Sequence, residues 1–261
     1  MRDVVDLDRY PLDELDGDAG RALVERCRTE LDSDGACVLP SFLTDGAVAE
    51  MVALGDRLRG EAWTTDDRHT VTFEPPATDV PPTDTRARLV RTREHAVACD
   101  RLPGDSPIRR LYEWPPTLEF VRRVLGLEEL HRSADLLDAV NIARFDIGDE
   151  LGWHFDNSHF SVTLMYQPAD QGGTFEYVPR LRTDDDPNHE GVAAVLDGAV
   201  AARRLDIGPG ALSLFRGHCA LHRVTPVAGR RPRYNSVLTY RPKPGMTLTP
   251  ETRRLFYGRD R

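Results

Sequence analysis

Residues 154–156 are His154-Phe155-Asp156, and residues 221–227 form the stretch Leu-His-Arg-Val-Thr-Pro-Val, which contains His222. Side chains at positions i and i+2 of a β-strand point the same way, so His154 and Asp156 can face one point. Two imidazoles and one carboxylate can occupy one triangular face of a ferrous ion and leave the opposite face open for chemistry. Zinc more often takes a closed shell of four ligands that includes cysteine. The three residues are therefore candidate ligands of a catalytic ferrous ion.

The sequence around these residues consists of short apolar or β-branched runs separated by turn residues. The runs cover residues 139–145, 160–167, 173–178, 211–215, 221–224 and 234–240. Glycine and proline lie between them, as at Gly148, Gly172-Gly173, Gly208-Pro209-Gly210 and Gly229. Many short strands with such punctuation predict a sandwich or a barrel.

The first half of the chain has a different pattern, with apolar residues at helical spacing. We predict helices over residues 18–31, 44–58, 107–112 and 116–125, with Thr44 as an N-cap. A short strand is expected at residues 36–40. Residues 61–85 are polar and rich in proline, which indicates a long loop or a lid. Residues 249–256 predict a short terminal helix.

Two further motifs lie between the candidate ligands, Gly172-Gly173-Thr-Phe-Glu-Tyr-Val-Pro179 and Asp206-Ile-Gly-Pro-Gly-Ala-Leu-Ser-Leu-Phe215. Their order, with His154, Asp156 and His222, resembles that of the iron(II)/2-oxoglutarate-dependent dioxygenases across residues 139–241. The resemblance implies an α+β fold with a double-stranded β-helix core (a jelly roll, cupin-like) at 139–241. A mainly helical part at 1–130 would pack on this core, followed by a tail at 242–261, in a single domain of residues 1–261. The implied cofactors are Fe(II), the cosubstrate 2-oxoglutarate and O2.

An arginine in the following strand suits the anchoring of 2-oxoglutarate. Arg233 begins the run 233–240, and its guanidinium could bind the far carboxylate of the keto acid in two parallel hydrogen bonds. Arg230 and Arg231 are alternatives, although the turn in which they lie favours exposure to solvent. Similar strands of the family turn Asn141 and Thr163 inward, which makes both candidates for contacts to the cosubstrate, with ordinary core filling as the other interpretation.

Two competing metal-site interpretations remain. His218 is a second candidate for the distal ligand, but it follows Gly217 in a predicted turn, whereas the stretch around His222 resembles the distal motif of the family. Asp184-Asp185-Asp186 precede Pro187, where a run of charge typically belongs to a solvated loop or a helix start.

Asp156 bears on the reaction that the resemblance implies. Related halogenases carry glycine or alanine in place of this carboxylate, which leaves a coordination site for chloride. The retained Asp156 favours hydroxylation of an unactivated C–H bond, with release of succinate and CO2. Desaturation or cyclisation of a natural-product intermediate remains open, as does a non-catalytic, cupin-like binding protein.

The stretch 154–160, His-Phe-Asp-Asn-Ser-His-Phe, most resembles the branch that hydroxylates or halogenates free amino acids. Such a substrate needs a site for its carboxylate and acceptors for its ammonium group. We expect Arg91 to provide the first, and Asn157, His159 and Asn235 to line the pocket. Arg91 could equally belong to an exposed strand or helix rich in arginine.

Composition limits the partners and the location. The formal net charge of -9 argues against nucleic acid and anionic membranes as partners. The four cysteines are scattered without a Cys-x-x-Cys pair, so reduced thiols in a cytoplasmic protein are expected. The N-terminus lacks the apolar core of a signal peptide, and no apolar run suits a membrane span. We expect a monomer or a homodimer that acts on a small molecule.

Overall fold

The computed structural model describes residues 1–260, which form two antiparallel sheets with most of the helices packed on the larger one. The helices are α1 (Asp18–Asp34), α2 (Asp45–Arg57), α3 (Pro107–Glu113), α4 (Pro115–Leu125), α5 (His189–Leu196) and α6 (Pro250–Tyr257). The strands are β1 (Ala36–Leu39), β2 (Trp63–His69), β3 (Val90–Val97), β4 (His131–Arg132), β5 (Ile142–Phe145), β6 (Leu151–His154), β7 (Ser161–Gln167), β8 (Phe175–Val178), β9 (Arg203–Leu205), β10 (Leu212–Phe215), β11 (Leu221–Val224), β12 (Arg233–Val237) and β13 (Tyr240–Arg241).

The strands assemble into a large sheet and a small sheet that face each other. The large sheet has seven strands in the order β1-β10-β7-β12-β5-β3-β2, and the small sheet has four in the order β6-β11-β8-β9. The short strands β4 and β13 form a separate pair. Two facing antiparallel sheets with helical additions are the predicted α+β jelly roll, and the fold class is confirmed.

The helices of the first half follow the predicted positions. The Thr44 side chain accepts a hydrogen bond from the Ala47 N–H and so caps α2. Gly35 ends α1 with a φ of 76°, and its N–H bonds to the Leu31 carbonyl. This left-handed conformation costs glycine little, and it turns the chain directly into β1.

Strand alternation divides the large sheet into an outer and an inner face. Val162, Leu164 and Tyr166 of β7 point outward and join the main apolar core beneath the helices. The residue between the first two, Thr163, lines a cavity on the inner face. Helices α1 to α4 therefore cover the outer face of the sheet, and the inner face is left to build a site.

The prediction of a loop over residues 61–85 is wrong for part of its length, because Trp63–His69 forms strand β2. Every residue of β2 is paired with β3, from Trp63 with Ala96 to His69 with Val90. Its sequence, Trp-Thr-Thr-Asp-Asp-Arg-His, shows no alternation of apolar residues because the strand lies at the edge of the sheet and is largely exposed. The first half thus contains three strands besides its helices.

Smaller elements were also not predicted. Strand β6 lies between the predicted runs 139–145 and 160–167, and α5 follows Pro187. The terminal helix is confirmed as α6, with its predicted start at the capping residue Thr249. Among residues 1–260, no helix combines the length and the apolar character needed to cross a membrane.

Candidate active site

His154, Asp156 and His222 meet at the end of the small sheet. His154 of β6 and His222 of β11 are direct register partners, and their ring centroids lie 4.0 Å apart. The Asp156 Oδ1 atom lies 3.6 Å from His154 Nε2 and 3.5 Å from His222 Nε2. The three ligand atoms all lie within 4.8 Å of one another, so they could hold one metal ion.

Backbone carbonyls orient both imidazoles toward this point. The Nδ1 atom of His154 lies 2.8 Å from the Gly152 carbonyl oxygen, and that of His222 lies 2.9 Å from the Ala220 carbonyl oxygen. A carbonyl oxygen only accepts, so each Nδ1 carries the proton and donates. The lone pair of each Nε2 is therefore free, which is the tautomer that a metal requires.

Asp156 is fixed by Gly217 on the loop before β11 and by Ser161 at the start of β7. Its backbone N–H donates to the Gly217 carbonyl at 3.1 Å, and the Ser161 hydroxyl donates to Oδ2. A Cβ atom on Gly217 would lie 1.8 Å from that same Oδ2. The carboxylate can take this position only because residue 217 has no side chain.

The protonation states also suit a metal. Burial, with the neighbouring His222, lowers the pKa of His154 and favours the neutral imidazole. Burial opposes ionisation of Asp156, but the two imidazoles outweigh it and hold the pKa of Asp156 well below its usual range. Neutral imidazoles and an ionised carboxylate are the forms that bind a cation.

A second layer of hydrogen bonds supports His154 from the large sheet. The His69 Nδ1 donates to the Thr70 carbonyl at 2.7 Å, so its Nε2 accepts from the Thr92 hydroxyl at 2.7 Å. The same hydroxyl accepts from the Gly152 N–H at 3.0 Å. Since the Gly152 carbonyl orients His154, this chain of bonds connects β2 and β3 to the metal site. The sequence gives no signal for it, because polar residues within a strand are unspecific.

The three residues open onto a cavity of about 370 Å³ between the two sheets. Arg233 of β12 lines this cavity with a residue exposure of 4%, and its guanidinium lies 5.3 Å from the centre of the Phe145 ring. It donates to Asn235 Oδ1, while its buried Nε has no hydrogen-bond partner among the described residues. Burial lowers the pKa of Arg233 to about 10, so it stays cationic at neutral pH.

The alternatives for Arg233 lie elsewhere. Arg230 and Arg231 are exposed in the turn before β12. The other two cosubstrate candidates do line the cavity. Asn141 donates to the Tyr257 hydroxyl at 3.1 Å and accepts from the Val237 N–H at 3.1 Å, and the Thr163 hydroxyl bonds to that of Ser213 at 2.7 Å.

The substrate-binding candidates divide into two groups. Asn157 and Asn235 line the cavity, whereas Arg91 and His159 do not. The Arg91 guanidinium donates to the Gly148 carbonyl at 3.1 Å and to Glu150 Oε1 at 3.3 Å, and its side chain is 37% exposed. Arg91 therefore points away from the cavity, because alternation along β3 turns Thr92, Glu94 and Ala96 toward the inner face.

His159 and the alternative ligand His218 pack against each other outside the cavity. Their ring centroids lie 4.7 Å apart, and His218 Nε2 lies 3.0 Å from Asp184 Oδ1. His159 is exposed and does not line the cavity. His218 reaches the backbone carbonyl of Asp156 with Nδ1 at 3.2 Å, but it does not face the metal site.

Several cavity residues were not predicted. Phe73 has a φ of 60°, stacks on His69 at 4.1 Å and meets the edge of His154 at 5.4 Å. Glu94 lines the inner face, and Leu255 and Phe256 of α6 close one side. An isolated Phe in a loop and a Glu in an arginine-rich strand carry no sequence signal for a site.

Comparison with known proteins agrees with this geometry. A family model described as Halogenase D matches residues 23–253, which is more than half of the chain. A comparison with curated protein sequences finds no match.

Three solved structures are similar in fold. An oxidoreductase of the 2OG-Fe(II) oxygenase family from Burkholderia pseudomallei has a TM-score of 0.54 and 16% identity, over 85% of this chain and 92% of that chain. A prolyl hydroxylase from Trichoplax adhaerens, bound to a peptide fragment of hypoxia inducible factor, has a TM-score of 0.56 and 17% identity, over 84% of this chain and 89% of that chain. The epimerase SnoN in complex with Fe3+, alpha ketoglutarate and nogalamycin RO has a TM-score of 0.56 and 16% identity, over 84% of this chain and 84% of that chain.

The two buried histidines with Asp156, the cationic Arg233 on the same cavity and the jelly roll around them fit a metal and a dicarboxylic cosubstrate. The family match covers both sheets and the helices on them. The chain therefore belongs to the Halogenase D family, and it is a non-haem dioxygenase of the iron(II)/2-oxoglutarate-dependent class.

Proposed function

We propose that the enzyme hydroxylates an unactivated C–H bond of a small polar substrate, a free amino acid. The observation that carries this proposal is Asp156, a carboxylate beside the two histidines and within the cavity lining. A halogenase of this kind has glycine or alanine at that position, which leaves space for chloride. With the carboxylate as third ligand that space is filled, so oxygen transfer is favoured over halogen transfer.

In this proposal His154, Asp156 and His222 would hold Fe(II), because their ligand atoms lie within 4.8 Å of one another. All three residues line the cavity, where cosubstrate and substrate could approach the metal. Iron with 2-oxoglutarate and O2 supplies the oxidising power needed to replace a C–H bond by a C–OH bond, with release of succinate and CO2. The carbonyls of Gly152 and Ala220 keep the imidazoles in the ligating tautomer throughout.

Arg233 anchors the far carboxylate of 2-oxoglutarate. Its unpartnered Nε–H and its terminal nitrogens offer parallel donors, and the buried location strengthens the charge-assisted bonds. Asn235 Oδ1 accepts a hydrogen bond from the Arg233 guanidinium and so fixes the plane of that group. Thr163 and Asn141 line the same inner face and offer polar contacts to the cosubstrate.

The remaining walls hold the substrate and exclude water. The aromatic residues Phe73, Phe175, Phe215 and Phe256 surround the open side of the metal site. Asn157 directly follows Asp156 and lines the cavity, so its amide is a candidate contact to the substrate near the reacting carbon. Apolar walls with a few polar groups are typical of a small-molecule site.

The experiment is a screen of free amino acids with purified enzyme, Fe(II), 2-oxoglutarate and O2, followed by mass spectrometry and succinate measurement. Hydroxylation adds the mass of one oxygen atom, desaturation removes two hydrogens, and halogenation in the presence of chloride adds chlorine. We expect the first outcome, with stimulation of succinate release by the same amino acid. If a complete panel yields neither product nor stimulated succinate, the assignment of the substrate is wrong.

A further inference from the structure

The charges that line the cavity are unevenly distributed. In the proposed function, His154, Asp156 and His222 hold the metal and Arg233 holds the cosubstrate. The other charged residues of the cavity wall, among those that the structure describes, are all acidic: Glu94, Asp138 and Glu251.

Two of these acids already have partners. Asp138 Oδ2 accepts from Arg241 at 2.7 Å, and the exposed Glu251 accepts from Arg254 at 3.1 Å. Glu94 differs from both, since it has a residue exposure of 8% and no hydrogen bond or ion pair from residues 1–260. Burial raises the pKa of Glu94 to about 7, against weaker opposing effects of His154 and Arg233. A buried carboxyl without a hydrogen-bond partner destabilises the fold unless a ligand supplies the missing partner.

The register of the large sheet places Glu94 in the same row as Arg233. His95 of β3 pairs with Arg144 of β5, so Glu94 neighbours Phe145, and Phe145 pairs with Arg233 of β12. Glu94 and Arg233 therefore flank Phe145 on the inner face of the sheet. Both carboxylates of 2-oxoglutarate have the same sign of charge as ionised Glu94, so Glu94 is unsuited to bind the cosubstrate.

We propose that Glu94 binds a protonated amino group of the substrate and selects for it. This inference rests on the proposed function and names the chemical group that the enzyme recognises. An ammonium ion offers three donors, and a buried carboxylate can accept two or more of them in charge-assisted bonds. Because Arg91 lies outside the cavity, recognition depends on the cation of the substrate more than on its carboxylate.

The competing role is that Glu94 only balances the charge of Arg233. The two roles predict different changes in Glu94→Gln, which removes the charge with little change in shape. A substrate site loses affinity for amines and keeps its affinity for 2-oxoglutarate. A counter-charge changes the affinity for 2-oxoglutarate and affects amines and their neutral analogues equally.

The test measures anaerobic binding to the enzyme loaded with Fe(II) and 2-oxoglutarate, through the shift of its visible band and by calorimetry. The probes are pairs that differ in one ammonium group: L-ornithine with L-norleucine, and L-norleucine with hexanoate. We expect at least a tenfold preference for the cationic member of one pair. Glu94→Gln should abolish that preference and change the affinity for 2-oxoglutarate less than twofold.

Two variants serve as controls. Glu94→Asp keeps the charge and should keep the preference for the cationic member. Glu150→Gln makes the same chemical change at a residue outside the cavity, and it should behave as the unaltered enzyme. The proposal is overturned if no pair shows the preference, or if Glu94→Gln leaves it unchanged. A missing visible band in the unaltered enzyme would instead contradict the proposed function.

Discussion

At the scale of single residues, the site depends on the residues that leave space for the metal ligands as much as on the ligands themselves. Gly217 is the clearest case, because a side chain there would occupy the position of the Asp156 carboxylate. Neither residue can be exchanged without consequences for the other. A glycine in a turn is common in any sequence, so this role could not be predicted without the structure.

Gly217→Ala should displace Asp156 and weaken iron binding by about 10-fold to 100-fold, as loss of supporting contacts does in metal sites. The measurement is an Fe(II) titration of the metal-free protein. Gly104→Ala is the matched control, since a Cβ there meets nothing within 4 Å. Equal iron affinities of the two variants would contradict this account of Asp156.

The raised pKa of Glu94 predicts that the free energy of unfolding depends on pH. The folded protein holds the Glu94 proton up to a pH of about 7, above the usual value of 4.5. A raised pKa gives stability that is complete below pH 4.5 and is lost as the pH rises through 7. The full shift corresponds to at most about 3 kcal/mol.

Thermal unfolding of the metal-free protein between pH 4.5 and 8 measures this effect. The melting temperature of the unaltered chain should fall by several degrees relative to that of Glu94→Gln over this range. Other charged groups near Glu94, namely His154, Arg233, His95 and Asp149, are present in both proteins and cancel in the difference. A difference that does not change with pH would show that Glu94 titrates normally.

The sequence predicts the residues that belong to recognisable motifs. It does not predict residues whose role depends only on where the fold places them. His154, Asp156, His222 and Arg233 were predicted from spacing and resemblance, and the structure brings them to one cavity. Arg91 was predicted on resemblance alone, and it lies outside that cavity because strand alternation turns it away. A one-residue shift along a strand reverses the face of a side chain, and sequence patterns rarely settle that register.

At the scale of elements, strands β2 and β3 extend the large sheet and support the metal site from behind. Their bonds run from His69 through Thr92 to Gly152, whose carbonyl orients His154. Strand β2 escaped prediction because it is polar, lies at the sheet edge and is held by pairing with β3 rather than by burial. The helices were predicted more accurately because their apolar spacing and caps are local signals.

Thr92→Val should weaken Fe(II) binding by about 10-fold, because it removes the hydroxyl that bonds both His69 and the Gly152 N–H. An iron titration checks this, with the visible band of 2-oxoglutarate binding as a second readout. Thr64→Val is the matched control, since its hydroxyl bonds His95 on the same strand pair but has no connection to Gly152. If both variants bind iron equally, the hydrogen-bond chain has no positioning role.

At the scale of the whole molecule, the two sheets contribute different parts of one site. The small sheet carries the two histidines, and Asp156 directly follows its strand β6, whereas the large sheet carries Arg233 and Glu94. The helices on the outer face stabilise the large sheet, and α6 closes one side of the cavity. The order of strands and turns along the chain predicted a sandwich or a barrel, and the family resemblance specified the jelly roll. The division of the domain into 1–130, 139–241 and 242–261 stays a prediction, as do the lid and the monomer or homodimer.

The central claim is that His154, Asp156 and His222 bind iron beside a cosubstrate held by Arg233. Anaerobic addition of Fe(II) and 2-oxoglutarate tests it most directly, because the weak visible charge-transfer band of that pair needs an intact site. The account predicts the band in the unaltered chain and in Asp185→Ala, a variant of an exposed aspartate. In chloride-free buffer, where no anion can replace the missing ligand, it predicts no band and no hydroxylation in Asp156→Ala. A full band and full hydroxylase activity in Asp156→Ala would contradict it.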